Sequence, residues 1–279
     1  MRIAVLGAGR VGTTLAVLWR RGGHEIVAVS GRGSTSARAA EYLPGVPVVG
    51  PVDAVAGAGV VVVGVPDAVI AAVAEEVRSA LPSGTWLAHL SGAAPLDVLG
   101  AWPRRFSLHL LQTFPDVGVE RVAGCAAAVT AEDEEGRGLG ESLARDAGAL
   151  PFVLRDEDRA LYHAAAVFAS NHVVANAAIA ERLFASAGVP DPHAALAPLQ
   201  RATVENIAAL GPASALTGPA VRADAVTIAA NLAALGAVAP ETVPVYVVMC
   251  RAMVDLAVRA GRLDAAGRSA VEQALVPWS

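Results

Sequence analysis

Arg2-Ile3-Ala4-Val5-Leu6 is a short apolar run that feeds directly into Gly7-Ala8-Gly9-Arg10-Val11-Gly12, with a helical pattern close behind. Val11, Leu15 and Leu18 recur at helical spacing as far as Arg21, and a second strand pattern, Glu25 to Val29, comes next. A chain that passes from strand to helix through G-x-G-x-x-G has few options. Gly7 can take the dihedrals of a tight turn, Gly9 lets the backbone approach a pyrophosphate without a Cβ in the way, and Gly12 lets the helix press against the strand. The unpaired amides and the positive dipole end of the helix then face the phosphates. In this context the pattern predicts a dinucleotide site built by Gly7, Ala8, Gly9, Arg10, Val11 and Gly12. It argues against an apolar targeting segment, which Arg10 and three glycines would interrupt.

The 279 residues give room for two domains of ordinary size. A chain that is 54% hydrophobic and 17% charged is expected to be globular rather than disordered. The net charge of −5 gives no electrostatic reason to expect a nucleic acid or an anionic membrane, so the expected partner is a small molecule. Cys125 and Cys250 lie in different halves, outside any C-x-x-C or Cys/His metal spacing. No metal is expected, and both thiols read as reduced core residues of a cytoplasmic protein. The longest stretch without a formal charge, Ala160 to Ala180, is about as long as a membrane span. It holds His163, Asn171, His172 and Asn176, and so reads as a buried helix of a water-soluble domain. All 21 basic residues are arginine, which removes every mechanism that needs a Schiff base or a lysine acid.

Strand and helix patterns alternate over the first half. Strands are expected at Arg2–Leu6, Ile26–Ser30, Val46–Val49, Val60–Val65, Trp86–Leu90, Phe106–Leu110, Cys125–Thr130 and Pro151–Leu154, with helices at Ser36–Leu43, Asp67–Leu81 and Ala131–Ala147. This is the pattern of an α/β fold, a doubly wound, mostly parallel sheet with helices on both faces. Val60-Val61-Val62-Val63 suits a central strand buried on both sides. From about Asp156 strand patterns disappear, and helices are expected at Asp158–Ala187, Pro192–Leu210, Ala223–Leu235, Pro240–Arg259 and Asp264–Leu275. The division is therefore placed near Arg155: residues 1–155 form a nucleotide-binding Rossmann domain and residues 156–279 a helical one.

An NAD-binding fold has a carboxylate at the end of its second strand for the ribose 2′-OH. Here that strand ends Ser30-Gly31-Arg32-Gly33-Ser34-Thr35, and Glu25 sits at its opposite end. Ser30, Arg32 and Ser34 instead suit a 2′-phosphate, with a guanidinium to pair with it and hydroxyls to donate. NADP is the expected cofactor. The alternative for this segment is that Ser34 caps the next helix and Arg32 is a solvated turn residue.

Several later segments carry a family resemblance: Val63-Gly64-Val65-Pro66-Asp67, His89-Leu90-Ser91-Gly92-Ala93, His109-Leu110-Leu111-Gln112-Thr113-Phe114, the run from Tyr162 to His172, and Thr217-Gly218-Pro219-Ala220-Val221-Arg222-Ala223-Asp224. Taken together they resemble the Rossmann-like proteins whose helical C-terminal part is called domain of unknown function 2520. That group is similar in architecture to ketopantoate reductase, pyrroline-5-carboxylate reductase and the β-hydroxyacid dehydrogenases. The resemblance implies a second, all-α domain like the C-terminal domain of 6-phosphogluconate dehydrogenase, a cofactor at the C-terminal edge of the sheet, and a substrate in an interdomain cleft. It also implies a homodimer formed largely through the helical domain. The chain departs from the family pattern at Leu110, where proline is usual.

Hydride transfer to a carbonyl or imine needs the acceptor against the nicotinamide and a proton donor for the developing alkoxide or amine. The β-hydroxyacid dehydrogenases and ketopantoate reductases use a lysine on the first long helix of their second domain. In this chain that region offers Tyr162, His163, Asn171 and His172. On one continuous helix His163, Val167 and Asn171 share a side, so His163 is the first choice for proton donor, with Asn171 orienting the substrate oxygen. His109, at a strand end, is a further catalytic candidate, and Gln112 and Thr113 could donate hydrogen bonds to substrate. Val65, Pro66 and Ser91 are expected beside the nicotinamide ribose. The alternative for Asp67 is a first-turn carboxylate favoured by the helix dipole. Arg222 could clamp a substrate carboxylate, unless Asp224 is simply a helix cap with Arg222 its surface neighbour. The leading expectation is an NADP(H)-dependent oxidoreductase acting on a small carbonyl, hydroxyacid or imine compound. Two other readings fit the same residues: a deazaflavin-linked NADP reductase, in which two cofactors exchange hydride with little acid–base help, and a non-catalytic NADP-binding sensor.

Overall fold

A computed structural model describes residues 1–278, and the chain divides into two compact units, Met1–Asn171 and the part from His172 onward. In the first unit β1 (Arg2–Leu6) passes through the glycine loop to α1 (Arg10–Arg21), β2 (Glu25–Ser30), α2 (Thr35–Tyr42), the single turn α3 (Pro51–Ala54) and β3 (Val60–Val63). Then come α4 (Ile70–Val77), β4 (Trp86–His89), β5 (Arg105–Leu110), β6 (Ala126–Ala131), α5 (Glu134–Asp146), β7 (Leu150–Val153) and α6 (Arg159–Ala169). The strands form one sheet in the order β2-β1-β3-β4-β5-β6-β7. Neighbours are parallel except β5 and β6, so the sheet is mostly parallel, as the alternation of patterns predicts.

The four valines of β3 show how sequence period becomes layer. Val60 and Val62 enter the core on one face with Leu15, Trp19, Phe106 and Leu143, while Val61 and Val63 enter the core on the other with Ile70, Val77 and Leu87. A strand buried on both faces needs an apolar residue at every position, and each such side chain contributes about 1.5–3 kcal/mol by leaving water. Trp19 is fully buried and its indole N–H donates to the Leu143 carbonyl at 2.8 Å, which locks α1 against α5.

Two expected elements differ. The strand expected at Val46–Val49 reduces to a single parallel bridge between Val29 and Val48. Pro47 has no N–H to donate and only its carbonyl, which accepts from Val29, takes part, so a longer ladder cannot form. The helix expected over Asp158–Ala187 breaks at Ser170, whose φ of −126° and ψ of −69° lie outside the helical region. The Ser170-Asn171 step consists of weak helix formers that compete locally for backbone groups, and α7 (Asn171–Ser186) starts there in a new register.

The second unit continues with α8 (Pro192–Leu210), the short α9 (Pro212–Ala215), α10 (Ala225–Val238), α11 (Val243–Arg259) and α12 (Ala265–Leu275). Its core is formed by α10, α11 and α12 through Ile228, Leu232, Val247, Cys250, Val254, Val271 and Leu275. Asp224 caps α10, accepting from the Thr227 amide at 3.0 Å and from the Thr227 hydroxyl at 2.7 Å. Among the described residues no helix is long and apolar enough to cross a membrane.

Candidate functional site

The sheet reverses its order of construction at β1, whose neighbours β2 and β3 lead to opposite edges, and the glycine loop sits at the carboxyl end of that strand. The three glycines do different work. Gly7 has φ +94°, and a Cβ there would lie 2.7 Å from the Gly64 backbone and from Val65. A Cβ on Gly12 would lie 2.5 Å from the Gly7 carbonyl oxygen. These two positions are closed by the protein itself. Gly9 is different: its Cβ would meet only the Gly7 oxygen, at 4.0 Å, so the space above it is open. The Ser30 carbonyl accepts from the amides of both Gly7 and Ala8, at 2.8 and 2.9 Å, and holds the loop in this shape. What remains is the first turn of α1, whose amides at Arg10, Val11 and Gly12 face out as helix-start donors do. A pyrophosphate fits this cradle, since the one glycine that packs against nothing is the one it would cover.

At the end of β2 there is no carboxylate; Glu25, at the far end, pairs with Arg2 at 3.4 Å. Ser30 is buried, while Arg32 and Ser34 are exposed. Ser34 occupies the N-cap position of α2, yet its hydroxyl makes no cap bond and instead accepts from the Arg38 guanidinium at 2.7 Å. The same guanidinium donates to the Ala8 carbonyl at 2.7 Å. Arg38 is thus pinned between the glycine loop and Ser34, whereas Arg32 contributes only a carbonyl that accepts from Thr35. Sequence reasoning missed Arg38. The available signal was its position four residues after Ser34, one helical turn away on the same face.

The other end of the edge is organised around Ser91, just past β4. Its hydroxyl donates to Asp67 at 2.7 Å and accepts from the amides of Ala93 and Ala94, while its amide donates to His89 Nδ1 at 3.2 Å. Asp67 is therefore more than a first-turn charge: it fixes Ser91 and the turn that carries Gly92. Gly92 lies directly under the His109 ring, where a Cβ would come within 2.8 Å of the imidazole. His109 Nδ1 meets the Tyr162 hydroxyl at 2.7 Å, with the rings edge to face. Phe152 braces Tyr162 from the other side at 6.0 Å between ring centres. Beneath them lies Arg159, 1% exposed, donating to Ser107 Oγ at 2.7 Å, to Thr130 Oγ1 at 2.8 Å and to the Ser91 carbonyl.

Burial and then the positive Arg159 push His89 down to about 3 and His109 to about 4, so both imidazoles are neutral near pH 7. Burial pushes the Tyr162 hydroxyl up to about 12, with Arg159 opposing. The result is a phenol that keeps its proton, bonded to a neutral imidazole, above a buried cation. Tyr162 and Arg159 are separated from His109 by some fifty residues, and nothing in the sequence links them beyond their place on one helix.

The remaining sequence-derived residues scatter. His163 follows Tyr162 on α6 and its Nδ1 is buried without a hydrogen-bond partner. Asn171 is exposed and starts α7, so the break at Ser170 ends the common face proposed for His163 and Asn171. Gln112 donates to the Arg121 carbonyl at 3.2 Å and accepts from the Thr113 amide at 2.8 Å, which ties up its side chain in its own loop. Leu110, where the family pattern has proline, extends β5 by pairing with Ala127 and is buried. Val65 touches the glycine loop and Pro66 caps the turn that carries Asp67. Arg222 is exposed in the second unit, beside the Asp224 cap.

Residues 1–111 match the Rossmann-like domain and residues 125–253 match the domain of unknown function DUF2520. Among curated proteins, the chain is 33% identical over 150 residues to glycerol-3-phosphate dehydrogenase [NAD(P)+] of Moorella thermoacetica, an alignment covering 49% of this chain and 42% of that protein. The chain thus spans less than half the length of this curated relative. Among solved structures, a candidate NADP oxidoreductase from Bacteroides fragilis superimposes with a TM-score of 0.77 at 24% identity, and the protein TM1727 from Thermotoga maritima with 0.74 at 24%. Each superposition covers 91% of this chain and 98% of the other. At this identity they establish a shared fold.

Two outcomes follow from this geometry. Gly9→Ala is expected to leave the thermal midpoint within about 2 °C of wild type while weakening dinucleotide binding by about tenfold or more, and Gly12→Ala to lower stability by about 1–3 kcal/mol through overpacking, read by thermal and urea denaturation. The second concerns acid. His89 and His109 titrate near 6.5 in the unfolded chain and well below it when folded, so the unfolded chain binds more protons in that interval. Stability is complete above pH 6.5 and is lost as pH falls toward 4, by up to about 3 kcal/mol for His109. His109→Asn should flatten the slope of stability against pH between 6.5 and 4.

Proposed function

We propose that this chain, a Rossmann-like domain followed by a DUF2520 domain, is an NADP(H)-dependent oxidoreductase that moves a hydride to or from a small carbonyl, hydroxyacid or imine compound. One observation carries the reading: a half-buried tyrosine bonded to a neutral histidine, His109 Nδ1 to Tyr162 Oη at 2.7 Å, at the same sheet edge as an open glycine cradle. The relatives, a glycerol-3-phosphate dehydrogenase that uses NAD(P)+ and a candidate NADP oxidoreductase, agree with it.

Gly9 and the amides of Arg10, Val11 and Gly12 would hold the pyrophosphate, and the dinucleotide would supply or accept the hydride. Arg38 and Ser34 are the groups best set to receive a 2′-phosphate, with Arg32 as an outer cation. In the tautomer with its proton on Nδ1, His109 donates to the Tyr162 oxygen and leaves the phenolic O–H free to point at a substrate oxygen or nitrogen. When a carbonyl is reduced, that proton passes from Tyr162 to the developing alkoxide. The tyrosinate left behind is stabilised by His109 Nδ1–H and by the Arg159 charge, then reprotonated by water. In the oxidative direction the same steps run backwards, with Tyr162 giving a proton to solvent before it takes one from the alcohol. This assigns the proton to Tyr162 rather than His163, and it asks nothing of a lysine.

A homodimer fits the second unit. Val173, Val174, Phe184, Leu199, Val204 and Ile207 on α7 and α8 are exposed, an apolar surface that a second copy would cover. The two free thiols, Cys125 and Cys250, fit a reducing compartment such as the cytoplasm.

Fluorescence titration with NADPH and NADH tests the cofactor. Arg38→Ala is expected to weaken NADPH by about tenfold or more with NADH unchanged, and Arg32→Ala to have the smaller effect; equal loss for both dinucleotides would remove Arg38 from the 2′-phosphate role. For the chemistry, Tyr162→Phe is expected to retain NADPH binding and to lower kcat by about 100-fold or more on any carbonyl or imine that the wild type turns over.

A further inference from the structure

Arg159 is an expensive residue to place where it stands. Its side chain is 2% exposed, and the carboxylate it pairs with, Asp156, lies 3.8 Å from Nε and is 38% exposed. That carboxylate already accepts the Leu96 amide at 3.0 Å. Its two terminal nitrogens donate to neutral oxygens, Ser107 Oγ on β5, Thr130 Oγ1 on β6 and the Ser91 carbonyl after β4, while the buried Nε has no hydrogen-bond partner. Thr130 has a lone pair free for this because its own proton goes to the Leu154 carbonyl at 2.7 Å. A leucine or methionine would fill the same space without desolvating a charge, and replacement of buried ions by apolar groups is commonly neutral or stabilising. Stability alone therefore does not account for an arginine here.

Its three anchors do. A guanidinium is a rigid planar fork, so bonds to β5, β6 and the turn after β4 together fix its position and, through its buried side chain, the start of α6. Tyr162 lies three residues on, and an i,i+3 pair shares a helix face. We propose that Arg159 is the positioning residue of this site: its fork docks α6 on β5, β6 and the turn after β4 at the one height that brings the Tyr162 hydroxyl to His109. The inference deepens the oxidoreductase reading above and rests on it for the consequence to turnover, although the docking itself can be observed without turnover.

The test uses the full-length protein labelled with 15N-histidine. The chain has six histidines, and the His109 ring signals are identified by their loss in His109→Asn. Tyr162→Phe gives the spectrum of His109 without its partner. Two variants loosen the fork: Arg159→Lys, which keeps the charge and loses the planar geometry, and the double change Ser107→Ala with Thr130→Val, which keeps Arg159 and removes two anchors in near-isosteric fashion. Both are expected to move the His109 Nδ1 signal toward its position in Tyr162→Phe while His24 and His193 stay put, to lower kcat about tenfold or more, and to leave the NADPH dissociation constant within about twofold. Should Arg159→Lys fail to fold, the double variant decides. A His109 signal that stays at its wild-type position in the folded double variant overturns the positioning role. If the wild type itself turns over nothing, the functional reading fails, and the ring signals still report whether Arg159 sets the Tyr162–His109 pair.

Discussion

The close approach of three backbone segments at Gly7, Gly12 and Gly64 is the constraint on which the site depends. Gly7 sits in a left-handed conformation against the Gly64 backbone, and Gly12 rests on the Gly7 carbonyl, so no side chain can enter between β1, β3 and α1. Because that contact is backbone on backbone, the start of α1 is brought to the carboxyl edge of the sheet with its amides outward. The Ser30 carbonyl then takes the Gly7 and Ala8 amides and sets the turn toward α2, where Arg38 reaches back to Ala8. One packing requirement thus shapes the phosphate cradle, the adenosine end and the first core layer together.

At the opposite end the chain solves an electrostatic problem with an unusual composition. With no lysine anywhere, a mobile ammonium cannot serve as acid, and the positive charge near the site is a buried arginine that cannot give up its proton. The loss of solvent, and after it the Arg159 field, keep His89 and His109 neutral, and a neutral His109 can donate from Nδ1 to a tyrosine oxygen. In the proposed reaction Arg159 holds charge and geometry, His109 orients, and Tyr162 carries the proton. Asp67, through Ser91 and Gly92, sets the floor on which the imidazole rests.

Much of this was legible in the sequence wherever a local period or a local chemical need decides the structure. β1, α1 and β3, the mostly parallel sheet and the helical second half follow from apolar spacing and from glycines at fixed intervals. The absent carboxylate after β2 could be read directly. Local signals misled where a single residue overrode the pattern: Pro47 withheld the donor that a Val46–Val49 strand needs, and Ser170 interrupted a run whose composition otherwise reads as one helix. The chemistry was least legible because it is tertiary. Tyr162 and His109 come together only through the docking of α6, and Arg159, which follows Asp156 and Asp158, looks from sequence like a surface ion pair. Choosing His163 with Asn171 followed from treating two helices as one.

In the proposed reaction a dinucleotide on the glycine cradle presents its nicotinamide to Tyr162, and a crystal structure of the full chain grown with NADP+ would show whether it does. The expected structure has the pyrophosphate on the amides of Arg10 to Gly12, the 2′-phosphate against Arg38, and the nicotinamide C4 facing the Tyr162 hydroxyl across a gap wide enough for one small substrate. A dinucleotide bound elsewhere, or a nicotinamide turned away from the Tyr162–His109 pair, would contradict it.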